Sequence, residues 1–339
     1  MALLDRLGPV AAQGLRSDLV SVVIPCYGQA KFLDDCVAAL QSQTWTQWEA
    51  VIVNDGSPDD AAAVGARLER AEPRVKLVNQ ANAGRSAARN AGLRVACGEF
   101  VQFLDADDAL EPAKLGAHVQ YLRNHPQADA TFGSAWYFRS DNPAERSRSY
   151  MLESDDADWI ERLAQRPEPL AETLIARNTF PICAPLIRRS ALDRAGHFDE
   201  SLRTAEDWEL WLRCTASGLR FAYCPGPGTS ALIRVHPESV THDRPEMLEG
   251  ALSMRIRSLR YVRSPAHRRA NLLHAVYLLQ RMPAALRPAG YARLVAATHR
   301  GDERIAAWLA GVANEGTVGR LLRPVARVAL PWRWRFLLA

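Results

Sequence analysis

The sequence predicts an α/β protein built on a mostly parallel, doubly wound sheet. Along the first hundred residues, short β-branched runs alternate with segments whose apolar residues recur at helical spacing. The runs lie at 19–24, 48–53, 75–78 and 99–104, and the helical segments at 30–43, 59–71 and 86–96. Strands that alternate with helices are typical of βαβ units, in which consecutive strands are parallel.

Composition agrees with a globular protein of this size. The chain has 339 residues, of which 48% are apolar and 24% charged, enough for about two domains at ~150 residues each. These values exclude a disordered chain, a collagen and a small disulfide-stapled scaffold.

Three features of the sequence predict a location in the reduced cytoplasm. The six Cys form no C-x-x-C pair, and we expect reduced, mostly buried thiols. The first residues lack the basic region of a secretory signal, and no apolar run of 18 or more residues predicts a membrane-spanning helix.

Each early element has a local cause. The first strand runs to Pro25, which lacks the N–H that would continue a ladder. The first helix presents one apolar face, made by Phe32, Leu33, Cys36, Val37 and Leu40. The second strand ends in the turn residues Asn54-Asp55-Gly56-Ser57, a Gly84-containing turn precedes the third helix, and the fourth strand stops at Asp105.

The later chain is less regular. Residues 140–158 are polar and predict a loop, whereas 205–217 predicts a helix. Four further segments have helical periodicity: 246–263, 265–281, 288–299 and 302–313.

Polar clusters follow three of the four early strands, where ligands bind in open α/β sheets. The densest is Asp105-Ala106-Asp107-Asp108. Carboxylates this close repel one another unless a cation or hydrogen-bond donors neutralise them. Oxygen ligands of this kind suit Mg²⁺ or Mn²⁺, so we predict a divalent-metal site here, although Asp108 could instead cap a following helix.

Several familiar chemistries are excluded by missing motifs. The sequence has no G-x-x-x-x-G-K-[ST] loop and no G-x-G-x-x-G at 84–92, which argues against a P-loop ATPase and a simple dinucleotide enzyme. It also lacks H-E-x-x-H and G-x-S-x-G, the marks of zinc and serine hydrolases.

An ordered set of motifs covering about residues 19–240 resembles glycosyltransferase family 2, whose members are inverting, nucleotide-sugar-dependent enzymes. The resemblance implies a GT-A (Rossmann-like) fold, a mostly parallel sheet flanked by helices, here followed by a helical C-terminal extension. The motifs are Val22-Val-Ile-Pro25-x-Tyr27, Val53-Asn-Asp55-Gly-Ser57, Asn82-Ala-Gly84 with Ala88-Arg89-Asn90-x-Gly92, Phe103-Leu-Asp105-Ala-Asp107-Asp108, and Gly196-His-Phe198-Asp199-Glu200 with Glu206-Asp207-Trp208.

The resemblance implies a nucleotide site in the first half of the chain. Asp55 would accept the imide N–H of uracil, which favours UDP, although dTDP presents the same edge. Pro25 and Tyr27 would wall the base pocket, and Gly84 would let the backbone approach the nucleotide. Arg89 would contact the nucleotide or support its loop.

The same resemblance implies metal-assisted chemistry. Asp107 would bind Mn²⁺ or Mg²⁺ on the diphosphate, and Asp105 would bind ribose or orient a metal-bound water. His236, in a looser match, would reach the metal or diphosphate.

Asp207 matches the general base that would deprotonate an acceptor hydroxyl, with Glu206 and Trp208 beside the acceptor. Taken alone, the Glu-Asp pair could merely complement a helix dipole. Trp208 could equally be core, and Trp211 is expected to be core.

Two departures from the family pattern matter. Gly28 stands where family members often have Asn, and the Q-x-x-R-W signature of processive synthases is missing. We therefore expect one sugar to be added per encounter.

The predicted organisation has three parts: a leader at 1–18, a glycosyltransferase domain at 19–244, and a basic helical region at 245–339. The domain divides into a nucleotide-binding half, 19–130, and an acceptor half, 131–244.

The last part, 245–339, carries 16 Arg, no Lys and five Asp or Glu. Its tail at 318–339 alternates Arg with Trp and aliphatic residues, a composition suited to an anionic bilayer surface. A helical bundle with a solvated basic face explains the charge as well, and no nucleic-acid motif accompanies it.

The expected function is transfer of a sugar from a UDP-sugar to a hydroxyl of a glycan or lipid-linked acceptor in surface-polysaccharide assembly, in the cytoplasm or on the inner face of the membrane. Two alternatives stay open. A sugar nucleotidyltransferase is disfavoured because Cys26-Tyr27-Gly28-Gln29 replaces its usual basic, Gly-rich loop. A non-catalytic glycan- or partner-binding descendant is disfavoured because the carboxylates are present.

Overall fold

The computed structural model describes residues 15–148, 170–237, 244–283 and 286–298. The strands in these ranges are β1 (Arg16–Cys26), β2 (Trp48–Asp55), β3 (Val75–Gln80), β4 (Gly98–Phe103), β5 (Ala109–Leu110), β6 (Ala130–Phe132), β7 (Ala135–Arg139), β8 (Asn142–Ser147), β9 (Pro185–Arg188), β10 (Phe221–Tyr223) and β11 (Ala231–Val235). A 3-10 helix spans Ala30–Phe32. The α-helices are α1 (Leu33–Gln41), α2 (Ala61–Ala71), α3 (Arg85–Val95), α4 (Lys114–Asn124), α5 (Leu170–Ala176), α6 (Arg189–Ala195), α7 (Glu206–Ala216), α8 (Arg244–Ser258), α9 (Pro265–Arg281) and α10 (Arg287–Thr298).

The main sheet has seven strands in the order β10-β6-β9-β4-β1-β2-β3. The pairs β1–β2, β1–β4, β2–β3 and β10–β6 are parallel, and β9 runs antiparallel to β4 and β6. The central strands β1 and β2 are buried over most of their length, as their continuous apolar runs indicate, whereas the edge strands β3 and β10 are only partly buried. The predicted mostly parallel α/β sheet is confirmed.

Strand register brings the polar clusters to one edge of this sheet. In β1, Cys26 lies opposite Asn54 of β2, and Val23 lies opposite Phe103 of β4. The chain segments that follow these three strands therefore leave the sheet side by side.

A second, four-stranded sheet has the order β5-β11-β7-β8. Its short strand β5 continues directly from the acidic turn at 105–108 and pairs antiparallel with β11. This pairing ties a distant part of the sequence to that turn.

The described residues divide into two compact units. The first lies within Met1–Leu170, Thr179–Arg203 and Cys214–Ser239, and contains both sheets. The second lies within Ala171–Asn178, Thr204–Arg213 and Val240–Ala339. Its apolar core is formed by α8, α9 and α10, through Leu252, Leu259, Leu272, Val276, Leu279 and Leu294 among others. The predicted domain boundary at 244 stays a prediction.

The helical segments expected at 265–281 and 288–299 are confirmed with their ends within a residue, and the one expected at 246–263 spans 244–258. The loop expected at 140–158 is wrong in its first part, because 142–147 forms β8. That strand pairs with β7 while its first five residues are exposed, so no hydrophobic alternation marked it. The predictions for the leader up to residue 14, for 149–158, for 302–313 and for the tail at 318–339 concern residues outside the described ranges.

None of the helices in the described residues is long and apolar enough to cross a membrane. All six Cys are free thiols, five of them buried and Cys97 partly so. The expectation of unpaired, mostly buried cysteines is confirmed.

Gly92 lets α3 lie close against the sheet, and this contact predicts a stability effect. A Cβ at Gly92 would come within 2.4 Å of Val23 Cγ1 and 3.2 Å of Val53 Cγ2. Gly92→Ala should therefore lower the free energy of unfolding by about 1–3 kcal/mol, measured by urea denaturation.

Gly116 in α4 is the matched control. A Cβ there meets its nearest neighbours at the ordinary distance of 3.5 Å, so Gly116→Ala should be neutral or stabilising by up to about 1 kcal/mol. Equal destabilisation by the two substitutions would contradict this account.

Candidate active site

Asp55, at the end of β2, organises the loop that leads into α3. It is 3% exposed. Its Oδ1 accepts hydrogen bonds from the Ala83 N–H (2.9 Å) and Gln80 Nε2 (2.7 Å), and its Oδ2 accepts one from the Gly84 N–H (2.9 Å). A single carboxylate therefore fixes two successive backbone amides of this loop.

Gly84 is required at the end of that loop by its backbone conformation. Its φ is +90°, a value that side-chain-bearing residues rarely adopt, and it directly precedes the first turn of α3. The turn can thus bring an exposed backbone to a ligand.

The end of β1 provides the opposite side of this edge. Pro25 is buried, whereas Tyr27 is 51% exposed. Gly28 has a φ of +69° and donates its N–H to Ser57 Oγ at 2.7 Å. Asn adopts left-handed φ more readily than other non-Gly residues, so Gly28 meets the same backbone demand as the Asn often found there in the family.

Asp105 is held by the buried guanidinium of Arg89. The Nη2 of Arg89 lies 2.6 Å from Asp105 Oδ1, and Arg89 is 1% exposed. The Arg89 guanidinium also lies over the ring of Phe198, 5.3 Å from its centroid. Arg89 thus supports the acidic turn from inside the fold.

Asp107 and His236 meet in a buried contact. Asp107 Oδ2 lies 2.9 Å from His236 Nε2, and the two residues are 9% and 7% exposed. Burial and the charge of Asp105 raise the pKa of the Asp107 carboxyl, and the hydrogen bond with His236 offsets part of this rise. The ionised form of the Asp107 carboxyl is therefore less favoured than that of an exposed carboxyl, even with its histidine partner.

Asp108 does not cap a helix, so that alternative is wrong. The chain continues from it into β5, and α4 begins only at Lys114. Its Oδ1 accepts the backbone N–H of Arg234 at 3.0 Å, and its Oδ2 lies 3.5 Å from Cys183 Sγ. Asp108 is a structural carboxylate that joins the acidic turn to β11, and burial raises its pKa.

Of the three predicted metal ligands, two are brought together and one is directed elsewhere. Asp107 and His236 share a contact, whereas Asp105 pairs with Arg89. Within the described ranges, no group of three or more His, Cys, Asp or Glu side chains is arranged to hold a metal ion.

In the second unit, Asp207 lies in the first turn of α7. Its Oδ2 accepts a hydrogen bond from Asn178 Nδ2 at 2.9 Å, and its Oδ1 accepts the Trp208 N–H at 2.7 Å. Ala205, just before the helix, has a φ of +59°. A left-handed non-Gly residue costs about 1–2 kcal/mol, so the entry into this turn is strained.

The residues beside Asp207 expose little side-chain surface to an acceptor. Glu206 is 4% exposed, and Trp211 is fully buried, which confirms its expected place in the core. Trp208 is half-buried, donates its indole N–H to the Leu174 carbonyl at 2.6 Å, and has the Arg255 guanidinium 4.8 Å from its ring centroid. The acceptor roles of Glu206 and Trp208 stay predictions.

Sequence reasoning missed three polar side chains that position these groups. Gln80 and Asn178 hold the carboxylates of Asp55 and Asp207. Asn90 exchanges hydrogen bonds with the Phe198 backbone and donates to Glu200 at 2.9 Å, which ties the segment after Gly196 to α3. The sequence around a neutral amide side chain does not indicate which distant group it will hold. Of the three, Asn90 belongs to the Ala88-Arg89-Asn90-x-Gly92 motif.

Among solved structures, this topology resembles the α/β fold of the GT-A class. The S. aureus TarS 1-349 complex with UDP-GlcNAc superposes with a TM-score of 0.62 at 17% identity, covering 82% of this chain and 81% of that one. A mannosyltransferase from Pyrobaculum calidifontis, PcManGT, in complex with GDP-Man and Mn²⁺, gives a TM-score of 0.55 at 19% identity, covering 99% and 89%. At these identities the likeness shows the fold.

The family follows from sequence comparison. The profile of Glycosyl transferase family 2 matches residues 21–195, more than half of the chain, and the chain belongs to this family. The uncharacterized glycosyltransferase EpsJ of Bacillus subtilis is 30% identical over 190 residues, which cover 56% of this chain and 54% of EpsJ. The chain thus spans about half the length of this relative.

The Asp55 loop yields a test that needs no ligand. Asn offers one acceptor oxygen in place of a carboxylate, so Asp55→Asn cannot hold the same three donors. Hydrogen bonds to charged groups are worth about 1.5–3 kcal/mol, so exchange of the Ala83 and Gly84 amide hydrogens should accelerate about tenfold or more.

Asp59→Asn is the control for this measurement. Asp59 also accepts two backbone amides, from Ala30 (2.8 Å) and Ala61 (3.2 Å). Its substitution should leave exchange at residues 83 and 84 unchanged; acceleration there by both variants would refute the assigned role of Asp55.

Proposed function

We propose that this protein is an inverting, metal-dependent glycosyltransferase that moves a sugar from a UDP-sugar to a hydroxyl of a glycan or lipid-linked acceptor. The observation that carries the proposal is the buried contact of Asp107 with His236, at the sheet edge where the Asp55 loop also ends. The family and the GT-A fold support glycosyl transfer, and the finer assignments combine the family motifs with the contacts of this chain's own residues.

The donor nucleotide is bound by the carboxyl ends of β1, β2 and β4. Asp55 accepts the imide N–H of the base, while Pro25 and Tyr27 flank the ring. Because the carboxylate already accepts Gln80 and two amides, its orientation is set before the nucleotide arrives. The UDP-GlcNAc complex of TarS supports a uridine nucleotide, whereas PcManGT is seen with GDP-Man.

The residues of the acidic turn fit a divalent cation. Asp107 offers a carboxylate oxygen and His236 an imidazole nitrogen, a donor pair that suits Mn²⁺ well and Mg²⁺ less well. Burial and the charge of Asp105 raise the Asp107 pKa, and a bound cation would favour the ionised carboxylate. When bound, the ion acts as a Lewis acid that offsets charge on the departing diphosphate.

Arg89 and Asp105 have supporting roles beside the Asp107–His236 pair and are not assigned as direct ligands of the cation. The ion pair with Arg89 orients Asp105 so that its other oxygen can accept a ribose hydroxyl or a water bound to the cation. This assignment keeps Asp105 in the nucleotide site.

Asp207 acts as the general base. It takes the proton of the acceptor hydroxyl as that oxygen attacks the anomeric carbon from the face opposite the diphosphate, which inverts the configuration. Asn178 and the Trp208 amide donate hydrogen bonds to Asp207 and orient its carboxylate. General bases of this kind contribute about 10²–10⁴-fold in rate.

Two substitutions test the assignment. Asp107→Asn should abolish the Mn²⁺-dependent gain in UDP affinity, measured by titration calorimetry with and without EDTA. Asp207→Asn should keep UDP affinity and lower sugar transfer about 10²–10⁴-fold.

Glu209→Gln is the control for the base, since Glu209 lies on the same helix and pairs with Arg213 at 2.9 Å. It should retain transfer activity. If UDP affinity is unchanged by both the chelator and Asp107→Asn, the proposed metal chemistry is wrong. A chain that binds UDP but transfers no sugar would favour a non-catalytic descendant.

The acceptor proposal includes a membrane surface, reached by the Arg- and Trp-containing segment 318–339. If this segment binds anionic lipid, the full chain should float with phosphatidylglycerol vesicles and a form ending at residue 317 should not. Vesicles of neutral phosphatidylcholine are the control. Equal recovery of both forms would show that the charge of this segment serves another purpose.

A further inference from the structure

We propose that Arg234 is the positioning residue of the cation site, the side chain that sets the acidic turn 105–108 in its binding geometry. The inference rests on the proposed function and adds a residue to which the motifs gave no role. Its basis is a set of contacts that all lie within the first unit.

Strand register places Arg234 on the turn. β11 pairs antiparallel with β5 through Ala231 with Leu110 and Leu232 with Ala109. Continued in the same register, Arg234 comes opposite Asp107. Its backbone N–H donates to Asp108 Oδ1 at 3.0 Å, and its Nε–H donates to the Asp107 carbonyl at 2.8 Å.

The guanidinium itself contacts two aromatic rings and a carboxylate. It lies 4.8 Å from the ring centroid of Phe32 and 4.8 Å from that of Phe138. Its Nη2 donates to Asp35 Oδ2 at 3.0 Å. Phe32 ends the 3-10 helix, Asp35 belongs to α1 and Phe138 to β7, so three separate elements fix one planar group.

His236, two residues after Arg234 in the chain, provides the other contact to Asp107. Residues two apart in an extended chain point to the same side, and His236 reaches the carboxylate of Asp107 while Arg234 holds its carbonyl. Phe32 also contacts the His236 ring, with centroids 5.0 Å apart. The carbonyl and the carboxylate of Asp107 are therefore set by β11 and by the residue that follows it, before any ligand binds.

These contacts make Arg234 a positioning residue and not a ligand of diphosphate. The side chain is 8% exposed, and its Nε and Nη2 are engaged with the fold. Lys cannot reproduce the role, because a point-like ammonium lacks the planar fork that spans a carbonyl and a carboxylate between two rings.

The test separates cation binding from nucleotide binding. For Arg234→Met and Arg234→Lys, UDP affinity is measured by calorimetry in EDTA and across an Mn²⁺ titration, and binding of Mn²⁺ alone is followed by electron paramagnetic resonance. Groups that orient metal ligands typically contribute 10–100-fold in metal affinity. We expect the Mn²⁺ concentration for half-maximal effect to rise about tenfold or more in both variants, with UDP affinity in EDTA unchanged.

Arg188→Met is the matched control. Arg188 also donates to backbone carbonyls, of Ala128 (3.0 Å) and Leu122 (2.6 Å), and lies 5.5 Å from the Phe100 ring centroid, but it lies on β9 away from the acidic turn. It should lose stability and keep the wild-type response to Mn²⁺.

A milder variant tests the same contacts in a chain that is expected to fold. Asp35 is an exposed side chain, so Asp35→Asn should fold and weaken the Mn²⁺ response by about twofold to fivefold, a small part of the effect of a full orienting group. The assignment is overturned if Arg234→Met and Arg234→Lys respond to Mn²⁺ like the wild type, or if UDP affinity in EDTA falls as far as it does in Mn²⁺. A wild-type chain that binds neither Mn²⁺ nor UDP would instead remove the proposed function, and this role with it.

Discussion

Concentrated negative charge at the end of β4 is the constraint on which the first unit depends. Three carboxylates occupy four consecutive positions, and two of them are buried. In a low-dielectric setting such charges destabilise the fold unless donors surround them. Each acidic residue accordingly has its own partners: Arg89 for Asp105, His236 for Asp107, and the Arg234 amide for Asp108.

Meeting this constraint shapes the topology. The partners come from α3 and from β11, which lie far from the turn in sequence. The second sheet exists at this place because β5 leaves the acidic turn and pairs with β11. A fold that stabilises the turn this way keeps Asp107 buried beside a second carboxylate, and the proposed cation would offset this charge.

Asp55 and Asp207 are also held by hydrogen bonds, but their donors are neutral groups. Gln80 and two backbone amides hold Asp55, and Asn178 with the Trp208 amide holds Asp207. In both cases hydrogen bonds orient a carboxylate. The strained φ of Ala205 shows that the fold maintains the entry to α7 at a cost in backbone energy.

The sequence by itself determined the elements with strong periodicity and the carboxylates that follow them. Local patterns predict the strands at 19–24 and 48–53 and the helix at 265–281, and ordered motifs single out Asp55, Asp107 and Asp207 as candidates. Only the tertiary structure decided which partners meet: Asp105 with Arg89, Arg234 with the acidic turn, Asn178 with Asp207, and the exposed strand 142–147 with β7. Those contacts join residues far apart in the chain, and their energy comes from strand register and burial, which no local pattern of side chains records.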